Sequence, residues 1–360
     1  GVGTAIAAEV ITAMTDALEG VFGNPSSGHA AGAKARDVIE AGRSDVAALI
    51  GAANPDEIVF TASGTESDNW AIFGAARMRP EKRHIITTTV EHEAVRKPIE
   101  SLESRGYRVS RVEVDIDGRL SVERLVSLID DDTLLVSVML ANNETGILFP
   151  VELVGRAIKQ HADVLFHVDA VNAAGKVPID VREASIDLLA LSAHKFQGPK
   201  GIGAMYIREG IGLPSLRLGG GQEGGRRSGT EAVHQIAGMG AAAKLAADGS
   251  ANVRVQNLRD RLERGILSSI PGSYLSGTGR SDERLPNTSS ISFENINGEM
   301  IAARLDAAGV CVSTGSACHA QERKASSVLQ AMGVPYSRAM GAIRFSLGRG
   351  NTLDDIDRVL

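Results

Sequence analysis

Four short stretches of this chain carry the side chains needed for aldehyde, amine and sulfur chemistry. In Thr61-Ala62-Ser63-Gly64-Thr65-Glu66-Ser67, small and hydroxyl residues suit a phosphate, and in His167-Val168-Asp169-Ala170 an acid suits a pyridine nitrogen. Ser192-Ala193-His194-Lys195 supplies an amine for an aldehyde, and Thr314-Gly315-Ser316-Ala317-Cys318 supplies a thiol. Phosphate, pyridine and aldehyde are the parts of pyridoxal 5'-phosphate, whose enzymes hold it through a lysine Schiff base and an acid on the ring nitrogen. No single stretch makes the case alone.

Lys195 is one of only nine lysines. It follows the apolar run Leu188-Leu189-Ala190-Leu191 and precedes a turn containing Gly198, Gly201 and Gly203. A strand end is where the crevice of an open α/β sheet forms, and a lysine desolvated there has a lowered pKa and a freer amine. Asp169 also ends an apolar run, where it reads equally as a pyridine partner or as a helix N-cap. Gly64 and Thr65 open a helical pattern, so backbone N–H groups and a hydroxyl form a phosphate cradle; Ser63 and Glu66 have the spacing of a capping box, and both readings hold together. His92, between Glu91 and Glu93, follows a strand and begins a helix, a position from which it could lie over an aromatic cofactor; taken alone it reads as structural. Cys318 stands among small and polar residues, as a reactive loop thiol does, whereas Cys311 in Gly309-Val310-Cys311-Val312 has apolar neighbours and reads as a packing thiol.

The elements that position these groups are legible as an alternation. Apolar runs at 58–60, 84–87, 134–138, 164–168 and 188–191 are separated by amphipathic segments such as 65–77, 94–105 and 122–129, the pattern of a mostly parallel sheet covered by helices. Polar residues directly after the runs then converge on one crevice. Beyond Gly219-Gly220-Gly221 an alanine-rich helix over 232–247 leads to a hinge at Gly249-Ser250. Helical stretches at 253–269, 299–308 and from 353, with strands at 289–293 and 342–347, form a smaller α+β unit. The expected division is a large α/β domain over 16–249, with 1–15 and 250–360 in the smaller domain; the N-terminal helix near 7–18 is expected to pack on that smaller unit.

A chain of 360 residues with 43% hydrophobic and 23% charged residues and a net charge of −6 has the composition of an ordinary globular protein, neither disordered nor a basic nucleic-acid binder. No apolar run approaches the roughly 20 residues that span a bilayer, and no basic leader with an apolar core opens the chain, so no membrane role and a cytoplasmic location are expected. Two cysteines are too few for a disulfide framework, and no spaced Cys/His cluster suggests a metal site.

Nearly the whole chain resembles the cysteine desulfurases of the NifS/IscS type, class V, fold-type I pyridoxal-phosphate enzymes. The resemblance runs through Gly23-Asn24-Pro25-Ser26-Ser27-Gly28-His29, Glu91-His92, Ala141-Asn142-Asn143-Glu144-Thr145-Gly146, Ser192-Ala193-His194-Lys195, Gly219-Gly220-Gly221-Gln222-Glu223, Arg227-Ser228-Gly229-Thr230, Arg284-Leu285-Pro286-Asn287, the Cys318 stretch and Ile343-Arg344-Phe345-Ser346-Leu347-Gly348-Arg349. It implies Lys195 as the Schiff-base lysine, Asp169 on the ring nitrogen and His92 stacked on the ring. Asn143 is implied beside the ring and the substrate, and Gly64, Thr65, Ser192 and His194 at the phosphate. Thr230 is implied at the phosphate of a neighbouring subunit, hence a homodimer with shared active sites. Arg344 is the implied clamp for the substrate carboxylate. Asn172 stands where the family carries a glutamine that bonds the cofactor's phenolic oxygen, and the family's opening strand is not recognisable in residues 1–5.

The activity implied is removal of sulfur from L-cysteine. Lys195 gives up the cofactor to the substrate and takes the α-proton, Cys318 attacks the substrate sulfur and keeps it as a persulfide, and L-alanine leaves. The persulfide then reaches a sulfur-acceptor protein, as in iron–sulfur cluster assembly or tRNA thiolation, on a loop long enough for the long-loop group of the family. Selenocysteine lyase is the nearest rival, through Ala317-Cys318-His319 and Met332-Gly333-Val334-Pro335-Tyr336. A class V aminotransferase would share Lys195 and Asp169 without needing Cys318. An inactive scaffold of the same fold is the rival from another class.

Overall fold

The computed structural model describes residues 5–161, 163–314 and 325–360. Among them, seven strands form the first sheet: β1 (Ile58–Thr61), β2 (His84–Thr88), β3 (Arg108–Val112), β4 (Thr133–Met139), β5 (Leu165–Asp169), β6 (Leu188–Ser192) and β7 (Gly203–Ile207). They lie in the order β1-β7-β6-β5-β4-β2-β3. Strands β2 to β6 are mutually parallel, and β7 runs against both β6 and β1. All residues of β1, β2, β4, β5, β6 and β7 are buried, which is why they appear as unbroken apolar runs rather than as alternations.

The helices are, in chain order, α1 (Ala8–Gly20), α2 (Ala30–Leu49), α3 (Gly64–Met78), α4 (Glu93–Glu103), α5 (Val122–Val126), α6 (Val151–Ile158), α7 (Val233–Ala247), α8 (Ser250–Ser269), α9 (Gly298–Ala307), α10 (Ser327–Ala331), α11 (Tyr336–Ala339) and α12 (Leu353–Val359). A second, wholly antiparallel sheet takes the order β10-β11-β9-β8, from β8 (Ser273–Leu275), β9 (Thr288–Phe293), β10 (Ser313–Thr314) and β11 (Ala342–Ser346). Its own core joins Val255, Leu258, Leu262 and Ile266 of α8 to Ile291, Phe293, Ile343 and Phe345. Helical spacing of the α8 residues presents them as one stripe to the sheet. Gly249, in the left-handed conformation at φ 59°, separates α7 from α8, and we retain residue 249 as the proposed boundary between the units.

Against expectation, α1 packs not on the smaller unit but on α7. Its Val10 is fully buried in the core of the first sheet, and Met14 seats against Gly238 of α7. The alanine-rich composition of α7 lets both α1 and α2 approach it closely.

Cys311 is likewise corrected: it is exposed. It precedes β10 in extended chain, where side chains alternate, so Val312 joins the smaller core and Cys311 faces outward.

Candidate active site

Strand ends carry the site. β1 leads to Gly64 and Thr65, β2 to His92, β4 to Asn143, β5 ends on Asp169, and β6 runs into Ser192, His194 and Lys195. All of these line one cavity of about 300 Å³, together with Asn172. A second cavity of about 310 Å³ shares Asn143, Asn172 and Lys195 with the first and adds Arg344, Lys176 and Asn287.

At the start of α3, Ser63 is the cap: its Oγ accepts from Glu66 N at 3.1 Å. The N–H groups of Gly64 and Thr65 remain in the helix's first turn, where no intrahelical acceptor exists and the dipole favours an anion. Gly64 is required by close approach, because a Cβ there would lie 2.4 Å from Val171 Cγ2. The expected capping box is half realised. Glu66 reaches past Ser63 to Ala62 N at 2.9 Å and holds Arg227 Nε at 2.9 Å, so its carboxylate ties the start of α3 to the glycine-rich segment. Ser192 Oγ and His194 Nδ1 are 2.8 Å apart. Burial, then the charges of Lys195, Lys176 and Lys200, lower the His194 pKa.

Asp169 lies at the cavity floor, 6% exposed. Its Oδ1 accepts from Val171 N at 2.9 Å, a turn bond, and no helix follows, so the N-cap reading is not realised. Burial raises its pKa, opposed by the Val171 N–H, His92 and Lys195. A carboxylate this enclosed stays charged most readily beside a cation, and a protonated pyridine nitrogen meets that need. His92 is the N-cap of α4, its Nδ1 accepting from Ala94 N at 3.1 Å, while its ring lines the cavity. Burial lowers its pKa, Asp169 raises it and Lys195 lowers it. The structural and the site reading of this histidine therefore coexist.

In the second cavity, Arg344 from β11 crosses to the larger unit and donates from Nη1 to Asn143 O at 2.5 Å. Neighbouring Glu144 accepts from Ser326 Oγ at 2.5 Å. Burial raises the Glu144 pKa, with Ser326 and Arg344 opposing it.

Thr230 is exposed and does not line either cavity of its own chain. Cys318, with Gly315, Ser316 and Ala317, lies outside the described residues. Three polar residues escaped the sequence reading. Asp68, 1% exposed, lines the first cavity; His167, fully buried, faces the Asp68 carboxylate; and Lys176 lines the second cavity. A carboxylate one turn beyond the start of α3, shortly followed by the apolar Trp70, Ala71 and Ile72, was the available signal for Asp68.

A family model described as aminotransferase class-V matches residues 3–359. The chain is 48% identical to cysteine desulfurase 2 of Trichormus variabilis, over 99% of this chain and 89% of that protein, and 46% identical to cysteine desulfurase NifS of Azotobacter vinelandii, over 98% and 87%. Among solved structures, a NifS-like protein superposes with a TM-score of 0.91 at 39% identity, covering 99% of this chain and 94% of that one. A structure of SspA in complex with cysteine gives a TM-score of 0.85 at 33% identity, over 97% and 98%. With the parallel sheet, the strand-end cavity and near-complete coverage all in agreement, the chain belongs to the class-V aminotransferase family, among its NifS-type cysteine desulfurases.

Proposed function

We propose that this chain removes sulfur from L-cysteine, releases L-alanine and carries the sulfur on Cys318 to an acceptor protein. One observation carries the reading: a buried carboxylate, a lysine amine and a helix N-terminus meet in a single cavity that opens onto an arginine-lined one. The relatives named as cysteine desulfurases, and a similar fold solved with cysteine, support the choice of substrate.

Pyridoxal 5'-phosphate, bound in the first cavity, would supply an electron-accepting ring beside the substrate amine. Gly64, Thr65, Ser192 and His194 would hold its phosphate, Asp169 its ring nitrogen, His92 and Asn143 its ring, and Asn172 its ring oxygen. Lys195 would anchor it and then move the α-proton. Arg344, already set against the Asn143 carbonyl, orients the substrate carboxylate with a guanidinium fork. The Cys318 thiolate would take the substrate sulfur as a persulfide while the carbon–sulfur bond breaks. Exposed Thr230 is proposed to complete the phosphate site of a second copy, giving a homodimer with shared sites. Among the described residues no helix is long and apolar enough to cross a membrane; a cytoplasmic location remains part of this proposal.

Borohydride reduction of the cofactor-loaded protein, followed by peptide mapping, tests the assignment. The cofactor is expected on Lys195. Attachment to another lysine, or none, overturns the site.

A further inference from the structure

The Asn172 amide is held at both ends. Its Nδ2 donates to Asn142 O at 3.2 Å, and its Oδ1 accepts from Lys176 Nζ at 3.3 Å. A carbonyl neighbour demands the NH₂ end and an amine neighbour demands the oxygen, so both partners select the same orientation of the amide. Lys176 Nζ also donates to the Asn172 carbonyl at 2.5 Å, which fixes its amine over this one residue.

The cavities separate the two roles. Asn172 lines both the cavity floored by Asp169 and the one containing Arg344, whereas Lys176 lines the second but not the first. The charge of Lys176 is felt directly by His194 and Lys195 of the first cavity, but its hydrogen bonding reaches that cavity through Asn172. The lysine is itself held in place: Asn252 Nδ2, at the start of α8, donates to the Lys176 carbonyl at 3.0 Å, tying the segment to the smaller unit. Burial, with Lys195 and Arg344 close by, brings the Lys176 amine down to about 7, so it is a more readily neutral donor than an exposed lysine.

We infer that Lys176 is a positioning residue that locks the Asn172 amide with its second N–H turned to the cofactor cavity, compensating for a side chain shorter than glutamine. The inference rests on the proposed function, since it concerns how Asn172 meets pyridoxal phosphate. With one Nδ2 hydrogen on Asn142 and the oxygen on Lys176, the amide offers one N–H to an acceptor on the ring.

The test is a double-mutant cycle read by cofactor absorbance and by cofactor affinity, not by turnover. Lys176→Met in the loaded protein is expected to displace the visible absorbance maximum and weaken cofactor binding by roughly three- to tenfold, the worth of one hydrogen bond. Lys176→Gln, which keeps a donor without the amine, is expected to restore most of both. In an Asn172→Ala background Lys176→Met and Lys176→Gln, which both remove the charge, are expected to behave alike, because the amide that the donor holds is gone. An unaltered maximum and affinity in Lys176→Met, or a Met-against-Gln difference as large in the Asn172→Ala background, overturns the inference while leaving the proposed function standing. Failure of the unsubstituted protein to develop any cofactor band would overturn that function and this inference together.

Discussion

The Asp68 carboxylate and the His167 imidazole stand 3.4 Å apart, Oδ1 to Nε2, both enclosed beside the strand that ends in Asp169. His167 and Asp169 are two residues apart on β5 and so share a face. The other imidazole nitrogen, Nδ1, is 2.9 Å from Ser137 Oγ. Burial pushes His167 down to about 3, and burial with Asp169 and Glu91 pushes Asp68 well above the usual carboxylate range. Asp68→Asn, which keeps shape and polarity, is expected to cost less stability than Asp68→Ala, which removes the polar group facing the buried imidazole, a difference of roughly 1 kcal/mol. Denaturant midpoints of the two variants decide it; an Ala variant as stable as the Asn one contradicts the pairing.

Glu91 makes a pH prediction. Its Oε1 accepts from Thr88 Oγ1 at 2.8 Å and from Met139 N at 3.1 Å, yet burial raises its pKa to about 8. The folded protein then holds a proton that the unfolded chain releases near pH 4.5. Stability from this group is fully present below that lower value and is lost as pH rises through about 8. Glu91→Gln removes the titration. Relative to Glu91→Gln, the unsubstituted protein should lose stability progressively across this window and then level off; a pH-independent difference between the two contradicts the raised pKa.

Much of this site was legible because parallel strands are written as continuous apolar runs and their ends carry the chemistry. Asp169 closes such a run, and His92 and Lys195 come shortly after the ends of β2 and β6. The helix start at Gly64 was readable from Ser63 and Glu66, but the destination of Glu66 was not, since Arg227 lies far along the chain. β3, an edge strand of Arg-Val-Ser-Arg-Val, lacks the apolar run, and β7 hides behind glycines as Gly203-Ala204-Met205-Tyr206-Ile207. Its opening glycine has a packing reason: a Cβ on Gly203 would lie 2.6 Å from the Ser63 carbonyl carbon. The Asp68–His167 pair and the seat of α1 on α7 join residues distant in sequence, and local patterns do not encode such pairings.

A buried ion pair fixes the glycine-rich segment. Arg43 of α2 reaches Glu223 through two bonds of 2.8 and 3.0 Å, and Glu223 Oε2 also accepts from Phe60 N at 2.8 Å on the edge strand β1. Glu223 adopts a left-handed backbone at φ 52°, a conformation that non-glycine residues hold only under such restraint. Glu223→Ala leaves the buried guanidinium with only Glu40 and the Ile58 carbonyl, and is expected to cost roughly 3 kcal/mol, the low end for a broken buried pair. The double variant Arg43→Leu with Glu223→Leu is expected to cost less than Glu223→Ala alone. Chemical denaturation that ranks the double variant lower contradicts this account.

The central claim is sulfur removal from cysteine with Cys318 as the carrier, and the most direct measurement quantifies alanine and sulfide formed from L-cysteine by the cofactor-loaded protein under a reductant. The account predicts equal amounts of the two from the unsubstituted protein and neither from Cys318→Ala, with the cofactor band retained in that variant. A loaded, unsubstituted protein that forms neither product, or a Cys318→Ala variant that releases sulfide at an undiminished rate, would contradict it.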